Sequence, residues 1–227
     1  NYGVLRHRLQ HFWGHNIGYG KTDEQILREL MDAGLDSLPG GGAEVFSERV
    51  RKKICHDKCG SQRWLEIHRL AHGLGIRSNV TMLYGHIETN DERVDHMLQA
   101  RALQDETKGF QAFIPLAFHP DNNQMQKLPA PTAADTLRVH AVARLMLDNV
   151  PHVKAFWIAT GIEVAQTALW FGVDDLDGTV QEERIYHMAG AQTPEAMTPS
   201  QIGQLIRAAG REPIERDTFY NAVSMPA

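Results

Sequence analysis

The chain has 227 residues, of which 42% are hydrophobic and 22% are charged, and its formal net charge is −5. This composition suits one globular domain with a substantial core, or part of a larger domain. Basic and acidic residues are interspersed, so no run of Lys and Arg predicts a nucleic-acid partner. No apolar run approaches the roughly 20 residues that cross a bilayer, so no membrane partner is expected.

The two cysteines are too few for a disulfide framework. This favours a reducing, cytoplasmic setting. The first residue is Asn1, and no leader-like segment opens the chain. We therefore expect an excerpt of a longer protein, without a secretory signal.

Hydrophobic periodicity and breaker residues predict alternating helices and strands. The clearest start signal is Thr22-Asp23-Glu24-Gln25, which has the form of a capping box. In chain order the predicted elements are a helix over 22–33, a strand over 35–38, a helix that Ser61 caps and Gly75 stops, a strand over 77–84, a helix over 91–106, a strand over 110–116, a helix over 133–149, a strand over 153–159, a helix over 161–171, a strand over 174–177 and a helix over 200–209.

This alternation is typical of parallel βα units and predicts an α/β fold. The four to five predicted units are too few to close a barrel, which needs about eight strands. A doubly wound open sheet also fits the pattern. The chain lacks a G-x-G-x-x-G after a strand, which makes a dinucleotide-binding sheet less favoured.

Polar residues and glycines cluster just after the predicted strands. In parallel βα folds this edge of the sheet binds ligands, whereas the opposite edge serves stability. The clusters are Gly40-Gly41-Gly42-Ala43-Glu44, Tyr84-Gly85-His86-Ile87-Glu88, Ala117-Phe118-His119-Pro120, Thr160-Gly161-Ile162-Glu163 and Asp174-Asp175-Leu176-Asp177. Their shared position predicts one small-molecule site.

Each cluster also has a purely structural interpretation. The glycine triplet can be a tight loop, because glycine adopts positive φ without strain. Glu88 can complement a helix dipole. His86 and His119 can be satisfied core or rim histidines, and the three aspartates can form a solvated turn.

Three histidines near the start of the chain could form a metal site. His7, His11 and His15 would lie on one face of a helix. The Glu of the H-E-x-x-H zinc motif is absent, and the spacing supplies no fourth ligand. Chance spacing is therefore the favoured interpretation.

The cysteines form a C-x3-C pair, Cys55 and Cys59, in a segment rich in Lys and Arg. Iron–sulfur clusters rest on several thiolates, and the next position of a C-x3-C-x2-C motif is Gln62 here. We interpret the pair as two ordinary loop cysteines, and no metal ligand is assigned in this chain.

Four segments, taken together, resemble the radical S-adenosylmethionine enzymes that make menaquinone by the futalosine route and the deazaflavin FO. They are Leu35-Asp36-Ser37-Leu38-Pro39-Gly40-Gly41-Gly42-Ala43-Glu44, Thr81-Met82-Leu83-Tyr84-Gly85-His86-Ile87-Glu88-Thr89, Leu103-Gln104-Asp105-Glu106-Thr107 with the following Gly109-Phe110-Gln111-Ala112-Phe113-Ile114-Pro115, and Arg211-Glu212-Pro213 with Arg216-Asp217-Thr218 and Tyr220. Their order along the chain matches that of the family.

Three further segments resemble the aminodeoxyfutalosine synthase branch of this family. They are Leu116-Ala117-Phe118-His119-Pro120, Val173-Asp174-Asp175-Leu176-Asp177-Gly178-Thr179 and Tyr186-His187-Met188-Ala189-Gly190-Ala191. The related cyclic dehypoxanthinyl futalosine synthases and FO synthases tend to have Asn-Asp where this chain has Asp174-Asp175, and they remain the alternative.

The resemblance implies a partial TIM-type (β/α) barrel of the radical S-adenosylmethionine fold, and specifically its C-terminal half. We expect residues 21–227 to form this part, and residues 1–20 to be a divergent or unrelated segment. The family's three-cysteine loop follows its first strand, so the [4Fe–4S] ligands are expected upstream of Asn1. The implied cofactors are S-adenosylmethionine and the [4Fe–4S] cluster, and an external electron donor is the implied partner.

The implied reaction adds the 5′-deoxyadenosyl radical to 3-[(1-carboxyvinyl)oxy]benzoate and gives 6-amino-6-deoxyfutalosine, in menaquinone biosynthesis. The resemblance suggests His86 and Glu88 as catalytic residues, Gly40, Gly41, Gly42, Glu44 and Tyr84 as S-adenosylmethionine contacts, and His119, Asp174, Asp175 and Asp177 as substrate contacts. Two other interpretations stay open, namely an inactive half-barrel fragment and a barrel that binds metal through Cys55 and Cys59 or the N-terminal histidines.

Overall fold

The computed structural model describes residues 20–180 and 183–223. Within these ranges the chain forms four strands, which are β1 (Ser37–Leu38), β2 (Arg77–Tyr84), β3 (Phe110–Ala117) and β4 (His152–Val153). The helices within the same ranges are α1 (Asp23–Asp32), α2 (Glu48–Ile54), α3 (Ser61–Gly73), α4 (Asn90–Thr107), α5 (Ala133–Met146), α6 (Trp157–Thr160), α7 (Ile162–Ala168), α8 (Ile185–Met188) and α9 (Pro199–Ala208).

The strands form a parallel sheet in the order β1-β2-β3-β4. Ser37 of β1 lies opposite Arg77 of β2, and Ala112 of β3 lies opposite His152 of β4. Parallel strands need a crossover between them, and the longest helices supply it. The predicted α/β class is confirmed.

The chain divides into two compact units. One contains the described residues up to Met82 together with Ile87–Phe110, and the other contains Leu83–His86 and the described residues from Gln111 onward. In the first unit, Leu27 of α1 packs with Leu38, Ala71 and Ile76 in a buried cluster. Burial of such side chains contributes roughly 1.5–3 kcal/mol each, which fixes α1 against the start of the sheet.

Side-chain caps determine where several helices begin. Thr22 and Gln25 form a reciprocal capping box at α1, as the sequence predicts. Thr89 and Glu92 form the same box at α4, and Thr198 caps α9 in the same way. These caps satisfy N–H groups that have no partner within the helix.

Several predicted elements are wrong or shifted. The strand predicted over 153–159 is a strand only at His152–Val153. The chain then turns into α6 at Trp157, a buried residue whose indole Nε1 donates to the Gly178 carbonyl. In place of the strand predicted over 174–177, the structure has a single β-bridge between Lys154 and Asp175. A left-handed φ of 67° at Asp177 ends the extended conformation there.

Other differences concern helix bounds. Ser61 is the first residue of α3 and Gly60 is its N-cap. α2 and α8 were not predicted; Ser47 caps α2 through a hydrogen bond from Val50 N. α5 ends at Met146 and α7 at Ala168, earlier than their apolar patterns suggest. In the part of the chain that the structure describes, no helix is long and apolar enough to span a membrane.

A chain of polar side chains is buried in the first unit. His68 Nδ1 lies 2.9 Å and His72 Nε2 lies 2.8 Å from Ser78 Oγ, at the beginning of β2. His72 Nδ1 lies 2.7 Å from Thr107 Oγ1 at the end of α4. Burial lowers the pKa of His68 and lowers the pKa of His72 to about 4. Both imidazoles are therefore neutral at pH 7 and join α3, β2 and α4.

This polar chain predicts that acid destabilises the protein. The folded pKa of His72, about 4, lies below the ordinary value of 6.5. The unfolded chain therefore binds more protons between these values, and stability falls as pH drops through this window. We expect the free energy of unfolding to fall by roughly 1 kcal/mol per pH unit from this group. Thermal unfolding between pH 7 and pH 4 measures the effect.

The pH dependence should be smaller in His72→Gln, because the titrating group is removed. His56→Gln is the matched control, since His56 is an exposed histidine of the same unit. An unchanged pH dependence in His72→Gln would contradict this role.

Candidate functional site

The loop 40–44 follows β1 in the first unit. Gly40 has φ of 74°, and a Cβ there would lie 1.9 Å from the carbonyl oxygen of Asn79 on β2. Only glycine can occupy this position. Gly42 and Glu44 also have positive φ, so left-handed residues alternate along the loop. Such alternation turns successive N–H groups toward a common side and makes an anion-binding concavity.

Every carbonyl of residues 40–43 accepts a hydrogen bond from a side chain of the same unit. The donors are Thr81 Oγ1 to Gly40 (2.9 Å), Trp64 Nε1 to Gly41 (3.2 Å), Arg51 Nη2 to Gly42 (3.2 Å) and Arg51 Nη1 to Ala43 (2.6 Å). A trans peptide places the next N–H opposite the carbonyl. The N–H groups of residues 41–44 thus point away from these donors, and no described residue accepts a hydrogen bond from them.

Glu44 is predicted to contact S-adenosylmethionine. Its Oε1 lies 2.6 Å from Lys58 Nζ, and its side chain is 17% exposed. This ion pair joins the loop to the segment between α2 and α3. The loop therefore has backbone N–H groups to offer a ligand, whereas the Glu44 carboxylate already has a partner.

Glu88 follows β2 and precedes α4. Its side chain is fully buried, and its Oε1 lies 2.6 Å from Arg93 Nη2. Arg93 Nε donates to the same oxygen at 2.7 Å. The pair positions a buried carboxylate at the end of the strand, where the sequence predicts a functional residue.

Tyr84 and His86 belong to the second unit. Tyr84 is fully buried, and its hydroxyl donates to Thr136 Oγ1 of α5 at 2.9 Å. The Nε2 of His86 lies 3.0 Å from the carbonyl oxygen of Leu83, and its ring packs edge-on against Phe118. Both side chains thus have structural contacts, and their predicted roles stay predictions.

His119 follows β3 and lines a cleft of about 380 Å³ in the second unit. Its Nε2–H donates to the Ala159 carbonyl oxygen at 2.7 Å, and its ring packs edge-on against Tyr186. No described residue forms a hydrogen bond with Nδ1. The rest of the lining comes from the chain after β4 and after α8, namely Ile158, Ala159, Thr160, Gly161, Ile162, Glu163, Ala191, Gln192, Thr193 and Pro194.

The cleft therefore lies where two predicted clusters meet. The Thr160–Glu163 segment and His119 are brought together, although Thr160–Glu163 begins at the end of helix α6 and does not follow the predicted strand. Gly161 joins α6 to α7 with φ of 84°. A cleft with one imidazole nitrogen, hydroxyls and apolar walls suits a small organic ligand.

Asp174 has a structural environment. Its Oδ1 lies 2.7 Å from Arg144 Nη2 and accepts from the Val153 backbone N–H at 2.8 Å. Its Oδ2 lies 2.8 Å from His152 Nδ1. The carboxylate thus joins the chain after α7 to β4 and α5.

Asp175 and Asp177 belong to a buried charge network. Asp175 Oδ2 lies 2.5 Å from Arg216 Nε, and Asp177 Oδ1 lies 2.5 Å from Lys154 Nζ. Asp175 Oδ1 also accepts from the Asp177 backbone N–H. Burial alone would raise the pKa of Asp175, but the Arg216 hydrogen bond and the nearby Lys154 charge outweigh it and lower the pKa.

The other carboxyl of this network behaves differently. Burial raises the pKa of Asp177, despite the opposing charge of Lys154. Arg216 also lies 4.2 Å from the ring centroid of Tyr220, whose ring stacks on His152 at 3.9 Å. The network ties the C-terminal segment to the residues after β4.

The sequence also contains two candidate metal sites that it does not favour, the N-terminal histidines and the cysteine pair. His7, His11 and His15 lie in residues 1–19, outside the described ranges, as does almost all of the segment expected to diverge. Cys55 and Cys59 are free thiols, and burial raises the pKa of both. Within residues 20–180 and 183–223, no three His, Cys, Asp or Glu side chains come together as a metal site.

Sequence reasoning missed the cations that hold these loops, which are Arg51, Arg93, Lys154 and Arg216. A signal existed for Lys154, because it interrupts the otherwise apolar run from Val153 to Ile158. Arg216 lies in the C-terminal segment that carries the resemblance, without an assigned role. Arg51 and Arg93 lie among other charged residues, where the sequence does not distinguish buried from exposed cations.

Two family models match the chain. Residues 107–227 match the CofH/MqnC C-terminal region, and residues 14–100 match the Radical SAM superfamily. With the parallel sheet, the second match confirms the predicted radical S-adenosylmethionine fold class.

Curated relatives cover most of the chain. An aminodeoxyfutalosine synthase of Thermus thermophilus is 55% identical over 88% of this chain and 55% of its own length. One of Streptomyces coelicolor is 48% identical over 88% of this chain and 55% of its own length. A cyclic dehypoxanthine futalosine synthase of Streptomyces coelicolor is 45% identical over 87% of this chain and 49% of its own length. The chain spans about half the length of these relatives.

The buried pair of Asp175 and Arg216 predicts a measurable stability difference. Asp175→Asn or Arg216→Met should lower the free energy of unfolding by about 2–4 kcal/mol, because each leaves a buried charge without its partner. Arg138→Met is the matched control, since its pair with Asp135 is exposed. It should change stability by about 0–1 kcal/mol in urea unfolding. Equal losses in the two pairs would contradict the prediction.

Proposed function

The chain belongs to the protein family defined by the CofH/MqnC C-terminal region, and we propose that its complete protein is an aminodeoxyfutalosine synthase. The proposed reaction transfers the 5′-deoxyadenosyl group of S-adenosylmethionine to 3-[(1-carboxyvinyl)oxy]benzoate to give 6-amino-6-deoxyfutalosine, with release of methionine and CO2, in menaquinone biosynthesis. The observation that carries this proposal is the 55% identity to the Thermus thermophilus enzyme of that name. Identity to the cyclic dehypoxanthine futalosine synthase is 45%, over a similar share of the chain.

S-adenosylmethionine fits the donors that this chain offers. The N–H groups of residues 41–44 have no acceptor among the described residues. Backbone donors of this kind suit the polar end of the molecule. In our proposal the Gly40–Gly42 backbone binds S-adenosylmethionine, while Glu44 acts through its ion pair with Lys58. When bound, the cofactor supplies a 5′-deoxyadenosyl radical after one-electron reduction.

The [4Fe–4S] cluster does not fit the described residues. Clusters rest on several thiolates, whereas this chain has two cysteines, and burial favours the protonated form of both. We propose that the cluster ligands lie elsewhere in the complete protein, and that residues 21–227 form the C-terminal part of its barrel. An external electron donor and a small-molecule substrate are the proposed partners, in the cytoplasm.

The proposed roles of the chain's residues are to orient the cofactor and the substrate and to exclude water. The Glu88 carboxylate is buried after β2 and is positioned there by Arg93. His86 and Tyr84 belong to the same strand end, and we propose that they border the adenosyl and substrate pocket. His119 presents Nδ1 as an acceptor or donor at its cleft, which suits a substrate carboxyl or hydroxyl.

In this proposal the Asp174–Asp177 group has a structural role. Its carboxylates bind Arg144, His152, Arg216 and Lys154, so they shape the pocket rather than contact substrate directly. The paired cations hold these carboxylates in place, and they lower the pKa of Asp175. This differs from the substrate contacts that the resemblance suggests.

Product analysis tests the proposed activity. The complete protein, reconstituted anaerobically with iron and sulfide, is incubated with S-adenosylmethionine, a reductant and either 3-[(1-carboxyvinyl)oxy]benzoate or dehypoxanthinyl futalosine. We expect 6-amino-6-deoxyfutalosine by mass spectrometry from the first substrate only. Turnover of the second substrate alone would support the cyclic dehypoxanthinyl futalosine synthase instead. Turnover of neither substrate would contradict the proposed activity.

Glu88 provides a residue-level test. Glu88→Gln keeps the size of the side chain but removes the charge that pairs with Arg93. We expect S-adenosylmethionine affinity to fall by about tenfold or more, because the change removes the buried negative charge that Glu88 places at the end of β2. Equilibrium binding with the complete protein measures it. Glu106→Gln, in an exposed pair with Arg69, is the control and should bind normally. Normal turnover and affinity in Glu88→Gln would refute the assignment.

A further inference from the structure

Arg51 is a buried cation in the helix that follows the loop 40–44. It lies on α2, and only 2% of its surface is exposed. Its guanidinium donates to the carbonyls of Ala43 and Gly42 and also to that of Cys59. Its Nε–H is buried and has no acceptor. Three carbonyls thus hold a full positive charge inside the protein.

No described carboxylate pairs with this guanidinium. Glu44, at the end of the same loop, pairs with Lys58. A buried charge that only neutral dipoles compensate is costly and favours a nearby anion. The first unit therefore has a positive charge directly behind the loop that no carboxylate contacts directly, and the nearby Glu48 carboxylate of α2 acts on it only through space.

The loop has its N–H groups on the side opposite the carbonyls that Arg51 binds, where Glu44 is partly exposed and Ala43 is buried. Arg51 binds the carbonyls of Gly42 and Ala43. The N–H groups of the same two peptides belong to Ala43 and Glu44. Because trans peptides are planar, Arg51 determines where those two N–H groups point. The guanidinium also polarises these peptides, which strengthens the N–H groups as donors.

We propose that Arg51 is a positioning residue that prepares the loop 40–44 to bind the carboxylate of S-adenosylmethionine. This inference rests on the proposed function and specifies which group of the cofactor the loop recognises. The carboxylate, rather than the ammonium, is the complement of N–H donors that have no acceptor and a cation behind them. Arg51 acts through the backbone and does not itself touch the cofactor.

The test compares two ligands in two proteins. Binding to the complete reconstituted protein is measured by anaerobic calorimetry for S-adenosylmethionine and for S-adenosyl-3-methylthiopropylamine, which lacks the carboxylate. Arg51→Met should weaken S-adenosylmethionine about tenfold and leave the analogue within about twofold, since only the carboxylate uses the oriented donors. Lys53→Met, exposed on the same helix, is the control and should change neither affinity.

If circular dichroism shows that Arg51→Met does not fold, Arg51→Lys is tested in its place. An ammonium retains the charge but cannot reproduce the fork that reaches three carbonyls. We expect an intermediate loss, again confined to S-adenosylmethionine. Equal weakening of both ligands, or no weakening, would refute the positioning role. Failure of the unsubstituted protein to bind either ligand would instead refute the proposed function itself.

Discussion

A charged side chain that is buried away from water needs compensating partners, and this requirement constrains the loops near the strand ends. Four cations are wholly or largely buried near these ends, and each is held by oxygens from a loop or turn. Arg51 binds carbonyls after β1, and Arg93 binds Glu88 after β2. Lys154 and Arg216 bind the aspartates of the turn after α7. Removing one partner leaves the other charged and buried, so each pair constrains its loop strongly.

This constraint changes what the loops can offer a ligand. Side chains that look like ligands in the sequence, such as Glu44 and Asp175, are engaged in internal ion pairs. Among the groups of these loops, the backbone N–H groups of residues 41–44 and Nδ1 of His119 have no hydrogen-bond partner in the described residues. In our proposal, recognition in the first unit therefore depends on backbone orientation. In the second unit it is a property of a cleft whose walls come from the segments after β3 and β4.

The fold was predictable where local physics is strong. A capping box begins α1, and long buried apolar runs form β2 and β3 at nearly the predicted bounds. The prediction failed over 153–159, where the apolar run suits a strand or a buried helix equally. The contact of Trp157 with Gly178 resolves that ambiguity, and it joins residues distant in sequence. α2 was missed because its charged residues resemble a loop, although Arg51 and Val50 on it are buried.

The sequence by itself determined the family, the α/β class and the strand ends at which functional residues collect, because these depend on motifs and short-range periodicity. Tertiary structure decided which charged residues are ligands and which are counter-ions. That choice depends on burial and on partners far along the chain, as when Arg216 reaches Asp175 or Arg51 turns the carbonyls of the glycine loop. A carboxylate has the same chemistry in both roles, so only its neighbours in space distinguish them.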